Sequence, residues 1–348
     1  MPTFSVIPTR SPPVTPQDSR SIVTLCLMAA FVDGEKHARE RDEVRRIAEG
    51  LAQAGELSGL YQDVLMKRVA LADAVAGLQS PEARQLAYEM AVCVCDADGA
   101  RSGPEQAFLA ELQQALGLEA GPATRFDRQA QAVADAPLAG NAEVEAMLSS
   151  IEPTGASPVP VPASLPATTP TPAAARVDEA ALDAQILKAP ILNGALELLP
   201  ETLSTLAIIP LQMKLVYGIG KAHGYELDKG HVKDFLATVG VGLTSQYLEQ
   251  AGRKLLGGLL GKVGGGLLRG MGRQAVSSGM SFASTYALGH VAKRYYAGGR
   301  QLSAQTLKDA FAGVVQEAQG LQTRYLPDMQ AQARTLDAGK VLALVRGG

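Results

Sequence analysis

Two short acidic turns carry the residue types best suited to chemistry in this chain of 348 residues. Each reads Asp-Gly, five residues, then Glu: Asp33-Gly34 to Glu40, and Asp98-Gly99 to Glu105. That spacing is the second half of an EF-hand loop, where glycine makes the sharp turn and the last glutamate binds calcium through both oxygens. On that template Asp98, Gly99 and Glu105 take positions 5, 6 and 12, and Asp96 takes position 3, but position 1 is Val94. The first turn has Phe31 and Ala29 where the third and first loop positions should be acidic. A hard cation needs six to eight oxygens, more than either loop supplies alone.

These turns therefore have three readings. One is an isolated Ca²⁺ site. A second is a shared site for a divalent cation, calcium or another hard metal, on one acidic face formed by Asp33, Glu40, Asp98 and Glu105, with Asp96 beside them. The third is helix capping, in which an Asp-Gly turn ends one helix and the glutamate sits in the first turn of the next.

No other residue set completes a catalytic constellation. His37, His223, His231 and His290 are scattered, and His223 and His231 straddle a turn at a spacing unsuited to a metal. Caps or surface positions account for them better. Cys26, Cys93 and Cys95 lie in apolar helical context and read as reduced core thiols, and Cys93-x-Cys95 lacks the two-residue gap of a redox or zinc pair. The run Gly257 to Lys262 has Val263 where a P-loop needs Ser or Thr, and no strand precedes it. The expected protein is not an enzyme.

The turns need helices to hold them, and the pattern supplies helices. Strand alternation is absent, whereas Val44, Ile47 and Leu51, and Leu109, Leu112 and Leu116, recur at helical spacing. A shift that pairs Asp33 with Asp98 also pairs Glu40 with Glu105 and aligns those two apolar triplets. Ser80-Pro81-Glu82 predicts a helix start, and Gly103-Pro104-Glu105 repeats the logic. Residues 1–20 hold five prolines and read as an extended tail, 21–150 as a helical domain, 151–176 as a linker and 177–348 as a second helical domain. The linker core, 153–175, has seven prolines and no charge, the composition of a stiff extended spacer.

The segments AAFVDGEKHARERDEVRRIAEGL and AVCVCDADGARSGPEQAFLAELQQALGL resemble the two core halves of the TerB-like (tellurite-resistance) family, over about residues 21–120. The resemblance implies an all-helical, pseudo-symmetric domain with acidic turns, metal binding and a place in membrane-linked stress complexes.

Charge separates the two halves. Residues 1–152 hold 13 Lys and Arg against 22 Asp and Glu, and residues 176–348 hold 19 against 13. An anionic partner, either a membrane surface or an acidic protein, is the natural match for the basic half. Within it, residues 250–308 contain no acid, and Arg253, Lys254, Lys262, Arg269 and Arg273 punctuate a run of glycines. Gly257, Gly261 and Gly265 recur every fourth residue, a pattern for close helix packing that needs tertiary or lipid support. Residues 274–292 carry no charge and approach the length of a bilayer span, but serines, Thr285 and His290 dilute them. A core helix that can lie at or insert into an interface is favoured over a committed span, with a buried hairpin making no membrane contact as the alternative. No tryptophan and few interleaved aromatics argue against nucleic acid as a partner.

Farther along, Pro210 starts or kinks a helix that Gly224 ends, and Asp228 caps the next. The blocks PLQMKLVYGIGKAHGYE, VKDFLATVGVG and TYALGHVAKRYYAGGR resemble the domain of YcjF-type inner-membrane proteins, over roughly 195–320. That resemblance implies membrane association without catalysis. Since this chain has no GTPase motif, a GTPase would be a separate partner. The combined expectation is an all-α, non-enzymatic accessory or scaffold protein at the cytoplasmic side of an inner membrane, in a metal- or envelope-stress complex. The alternative is a cytoplasmic divalent-metal-binding or protein-interaction module without membrane contact.

Overall fold

Local signals place the helix starts. The structure, a computed structural model, describes residues 15–32, 59–96, 101–153, 161–168, 177–199, 202–241 and 272–346. Helix α1, Pro16–Phe31, opens with a capping box: the Thr15 hydroxyl accepts from the Asp18 amide, and the Asp18 carboxylate accepts from the Thr15 amide at 2.9 Å. The other Asp18 oxygen accepts from the Gln79 amide at 2.8 Å, so one buried carboxylate ties α1 to the loop ahead of α4. Burial pushes that carboxyl up, but the bonds from Thr15 and Gln79 outweigh it and hold it below its ordinary value.

The short helices α2 (Leu60–Leu65) and α3 (Leu71–Ala76) lead to α4, Pro81–Cys95. Ser80 caps α4 by accepting from the Ala83 amide at 3.0 Å, as the Ser-Pro-Glu signal predicts. Helices α1 and α4 pack through Ile22, Leu25, Cys26 and Ala29 on one side and Ala87, Ala91 and Val94 on the other, all buried. Gly77 lies so close to Ser21 that an added Cβ would sit 2.1 Å from its hydroxyl oxygen, so any larger residue requires the Ser21 side chain to turn away. Helices α5 (Gly103–Ala115), α6 (Ala120–Ala134) and α7 (Ala142–Ser150) complete the first half.

The second half contains α8 (Glu179–Leu198), α9 (Thr202–Ala222), α10 (Lys229–Val239), α11 (Gly272–Ala297), α12 (Ala304–Ala333) and α13 (Ala338–Arg346). The fold is all-α: thirteen helices and no strand among the described residues. Pro210 lies inside α9 rather than at its start, and Gly224 follows the helix with φ +83°, a conformation that favours glycine. Asp228 caps α10 as expected and aims Val232, Phe235, Leu236 and Val239 into the core.

The uncharged segment 274–292 forms most of α11, which packs against α8, α9 and α12. Phe282, Tyr286, Leu288 and Val291 are buried there, and Gly289 admits Ile186 so closely that a Cβ would meet it at 2.9 Å. The apolar residues described from Phe282 to Ala292 face protein. No described helix is long and apolar enough to cross a membrane.

The two halves touch. Helix α9 packs on α4 and α6, and α13 reaches back to α6 and α7. Buried Lys214 donates from Nζ to the carbonyls of Pro137 and Ala139, the latter at 2.8 Å. Burial, with Lys229 nearby, pulls its ammonium below the ordinary lysine value. Asn141 caps α7 through Oδ1 and donates through Nδ2 to the Leu344 carbonyl at 3.0 Å.

Candidate functional site

The second acidic turn is where sequence pointed first, and its described part is held by an arginine. Asp96 follows α4, its amide donating to the Val92 carbonyl at 2.9 Å, and its side chain is only 1% exposed. Arg101 meets it with both edges of the fork: Nε to Oδ1 at 2.5 Å and Nη2 to Oδ2 at 2.8 Å. The remaining terminal nitrogen, Nη1, donates to Asp127 Oδ1 on α6 at 2.6 Å. One guanidinium thus links two carboxylates separated by 31 residues, with a bidentate geometry that lysine could not reproduce. Burial pulls Arg101 down, but its bonds to both acids outweigh that and hold it above its ordinary value. For Asp96, burial is the larger influence and pushes the carboxyl up against the pull of Arg101.

Glu105 is also engaged. Helix α5 starts one residue earlier than the Gly-Pro-Glu pattern implies, because Ser102 is the cap: its hydroxyl accepts from the Glu105 amide at 3.3 Å. Glu105 Oε2 accepts in turn from the Ser102 amide at 2.8 Å and from its hydroxyl at 3.1 Å. The structure of this glutamate is that of a capping box.

The metal reading can be tested on those two residues. As placed, both carboxylates are committed to protein donors, and Arg101 already supplies the positive charge between Asp96 and Asp127. They do not fit a hard cation without surrendering those bonds. Among the described residues, no group of three or more His, Cys, Asp or Glu is arranged to hold a metal ion. Asp33, Glu40 and Asp98 lie outside the described residues. We expect Glu105→Gln, which keeps the capping-box acceptor and loses only the charge at the helix N-terminus, to lower stability by at most about 1 kcal/mol and to leave calorimetric titrations with Ca²⁺, Mn²⁺ or Zn²⁺ as they are for the unmodified chain. A metal heat that disappears in the variant would make Glu105 a ligand.

Arg253, Lys254, Lys262 and Arg269 also lie outside the described residues, and Arg273 falls in the first turn of α11 by its backbone. The histidines separate clearly. His231 joins the α10 capping box, and His223 bonds through Nδ1 to the Ile219 carbonyl at 2.8 Å. Cys26 is fully buried, and burial pushes its thiol to about 12, which keeps it protonated and unreactive at neutral pH.

His290 has a different setting. It lines a cleft of about 450 Å³ between the start of α8, the end of α11 and residues 161–168 of the proline-rich segment. Burial pulls His290 down to about 4, so its imidazole is neutral at pH 7. Lys293 beside it is 2.5 Å from both Glu179 and Asp183. A neutral imidazole and a lysine already paired with two carboxylates suit binding or positioning more than proton transfer at neutral pH.

Sequence reasoning singled out Asp96 and Glu105 but missed Arg101, Asp127 and this cleft. Arg101 had a local signal, a cation inside a loop read as cation-binding. Asp127 had none, since only the packing of α6 on α4 brings it near.

Comparison with known proteins bears on the first half of the chain. Residues 5–130 match DUF533, a family of proteins of unknown function. DUF533 is related to TerB-like domains, so the TerB-like resemblance holds at that level. The matched span contains the Asp96–Arg101–Asp127 fork and the Glu105 cap, and it ends before α7. No curated protein and no solved structure matches the chain.

Proposed function

We propose that this chain is a non-enzymatic accessory or scaffold protein that works peripherally at an anionic surface, the cytoplasmic face of a bacterial inner membrane. The observation that carries the reading is the use made of residues 274–292. The apolar side chains described there, from Phe282 to Ala292, are buried in a helix packed on α8, α9 and α12, so the adjoining basic stretch, acid-free from 250 to 308, is left as the segment suited to the surface. Each Lys or Arg close to an anionic bilayer contributes about 1 kcal/mol, and Arg253, Lys254, Lys262, Arg269 and Arg273 act together when they share one face. The YcjF-type blocks in this half support the same assignment. The TerB-like relation of DUF533 favours a metal- or envelope-stress complex as the setting, with any GTPase supplied by another chain.

Flotation with liposomes tests this, and the packing dictates that the full chain be used. A fragment beginning at residue 177 would strip Lys214 and α13 of their partners on α6 and α7. The chain is expected to float with anionic vesicles at low ionic strength and to be released at about 0.5 M salt, where the Debye length falls to a few ångströms. Changing the five basic residues to glutamine should abolish flotation. Salt-resistant flotation would indicate insertion instead. If anionic vesicles do not retain the chain even at low salt, the membrane assignment fails and an acidic protein becomes the partner to seek.

A further inference from the structure

Residues 161–168 sit on the second helical half as a peptide sits on a receptor. Ala163 and Ser164 donate consecutive backbone amides to the two oxygens of Glu317 on α12, at 2.9 and 2.8 Å, and the Ser164 hydroxyl donates to the same carboxylate. Leu165 packs against an apolar slot formed by Ala283, Tyr286 and Ala287 of α11 and Val314 and Ala318 of α12. Two glycines make the approach possible. A Cβ on Gly313 would lie 2.5 Å from the Ser164 side chain, and one on Gly298 would lie 2.9 Å from Thr168 Cβ.

Backbone capture by one carboxylate, apolar anchoring through buried Pro162 and half-buried Leu165, and glycines that clear the path are the elements of docked-peptide recognition. The prolines around the segment, Pro160, Pro162 and Pro166, limit the entropy lost on docking. The hold is also shallow. Val161, Ala163 and Ser164 remain exposed, and so does Glu317.

We propose that the groove bounded by Gly298, Gly313 and Glu317 is a docking site for a Pro-x-Ser-Leu-Pro turn of a partner protein, and that residues 162–166, Pro-Ala-Ser-Leu-Pro, occupy it in cis as a turn closed by the Leu165 amide donating to the Pro162 carbonyl at 3.3 Å. The tether gives the internal segment an effective concentration in the millimolar range, so it excludes weaker competitors until it is released. Release also removes one wall of the His290 cleft, which Val161, Leu165 and Thr168 help to enclose. This inference does not depend on the basic stretch or on membrane contact.

The test is a fluorescently labelled peptide with the sequence of residues 160–169, titrated onto the full chain and followed by anisotropy. A chain whose own segment is disabled by Ser164→Asp and Leu165→Asp should bind the peptide, at least about tenfold more tightly than the unmodified chain does. Adding Glu317→Gln to the disabled chain should weaken binding by about tenfold, since two amides and a hydroxyl lose their charged acceptor. If the double change prevents folding, judged by circular dichroism, Leu165→Ala alone serves as the disabled chain. Absence of binding to a folded, disabled chain overturns the proposal. Equal binding to the disabled, unmodified and Glu317→Gln chains overturns it as well, because the contact would then be nonspecific.

Discussion

Replacing Arg101 with leucine is expected to lower stability by about 3–5 kcal/mol at neutral pH, the cost of leaving a buried ion without its partner. Asp96 is the reason. Its side chain is almost fully enclosed, and Arg101 donates a hydrogen bond to each of its carboxylate oxygens and provides its countercharge. The loss should depend on pH with a definite sign. Burial already raises the Asp96 carboxyl, and Arg101 is the influence that opposes it, so the variant's carboxyl rises further. A carboxyl raised in the folded state binds its proton more tightly there than in the unfolded chain. Its stabilising contribution is complete below the ordinary value near 3.8 and is lost as pH rises through the folded value. Urea unfolding should therefore show a smaller deficit for Arg101→Leu at about pH 5 than at about pH 7. A second variant, Arg101→Leu with Asp96→Asn, should recover much of the loss at neutral pH, because the enclosed Asp96 charge is gone and Asp127, which also loses its partner, is partly open to solvent. Equal deficits at the two pH values would remove Asp96 as the cause.

The second large effect is expected at Thr285, at the centre of the other half. Its hydroxyl oxygen accepts from Asn193 Nδ2 at 2.9 Å and from Gln212 Nε2 at 3.0 Å, joining α8 and α9 to α11. All three side chains are essentially inaccessible, and Asn193 Oδ1 and Gln212 Oε1 have no hydrogen-bond partner among the described residues. Thr285→Val keeps the shape and removes the acceptor. Asn193 then has a stranded amide donor, while Gln212 retains Ser284 at 3.2 Å. The expected cost is about 2–3 kcal/mol, because an unsatisfied buried donor loses its full desolvation energy. Replacing all three residues together (Asn193→Leu, Gln212→Leu and Thr285→Val) should be far less damaging than the single change, since no polar group remains to be satisfied. Chemical denaturation of the single and triple variants decides the matter. A triple variant less stable than Thr285→Val would show that the polar cluster contributes more than mutual satisfaction. The cluster also explains why Ser284 and Thr285 do not prevent burial of this helix: their hydroxyls accept from Gln212, and Thr285 also from Asn193.

Much of the local structure is written in short stretches of sequence. Ser80 ahead of Pro81, Asp228 ahead of a helical apolar pattern, and Gly224 after one all act within a single turn, where a side chain and its backbone partner are three or four residues apart. The same locality made helix content legible, and it made Glu105 readable as a cap, one of the alternatives its spacing allowed. Even here the register moved by one residue, because Ser102 offers a better cap than Gly103.

Three features depended on residues far apart in the chain. Whether 274–292 faces lipid or protein turns on what surrounds it, and α8 and α12, not its own composition, provide the apolar surface that covers it. Whether a proline-rich, uncharged segment stays a spacer turns on the presence of a receptor. Residues 161–168 have too little apolar surface to order alone, yet Glu317 and the path cleared by Gly313 hold them from 150 residues away. Whether Asp96 is a metal ligand or an ion-pair partner turns on the packing of α6, which carries Asp127 to the far side of Arg101. The sequence alone determined the helical class and the capped starts at Ser80 and Asp228, since capping and periodicity act over one turn. Tertiary structure alone decided what each acidic, proline-rich or uncharged segment meets, since burial and pairing energies belong to surfaces assembled from distant parts of the chain.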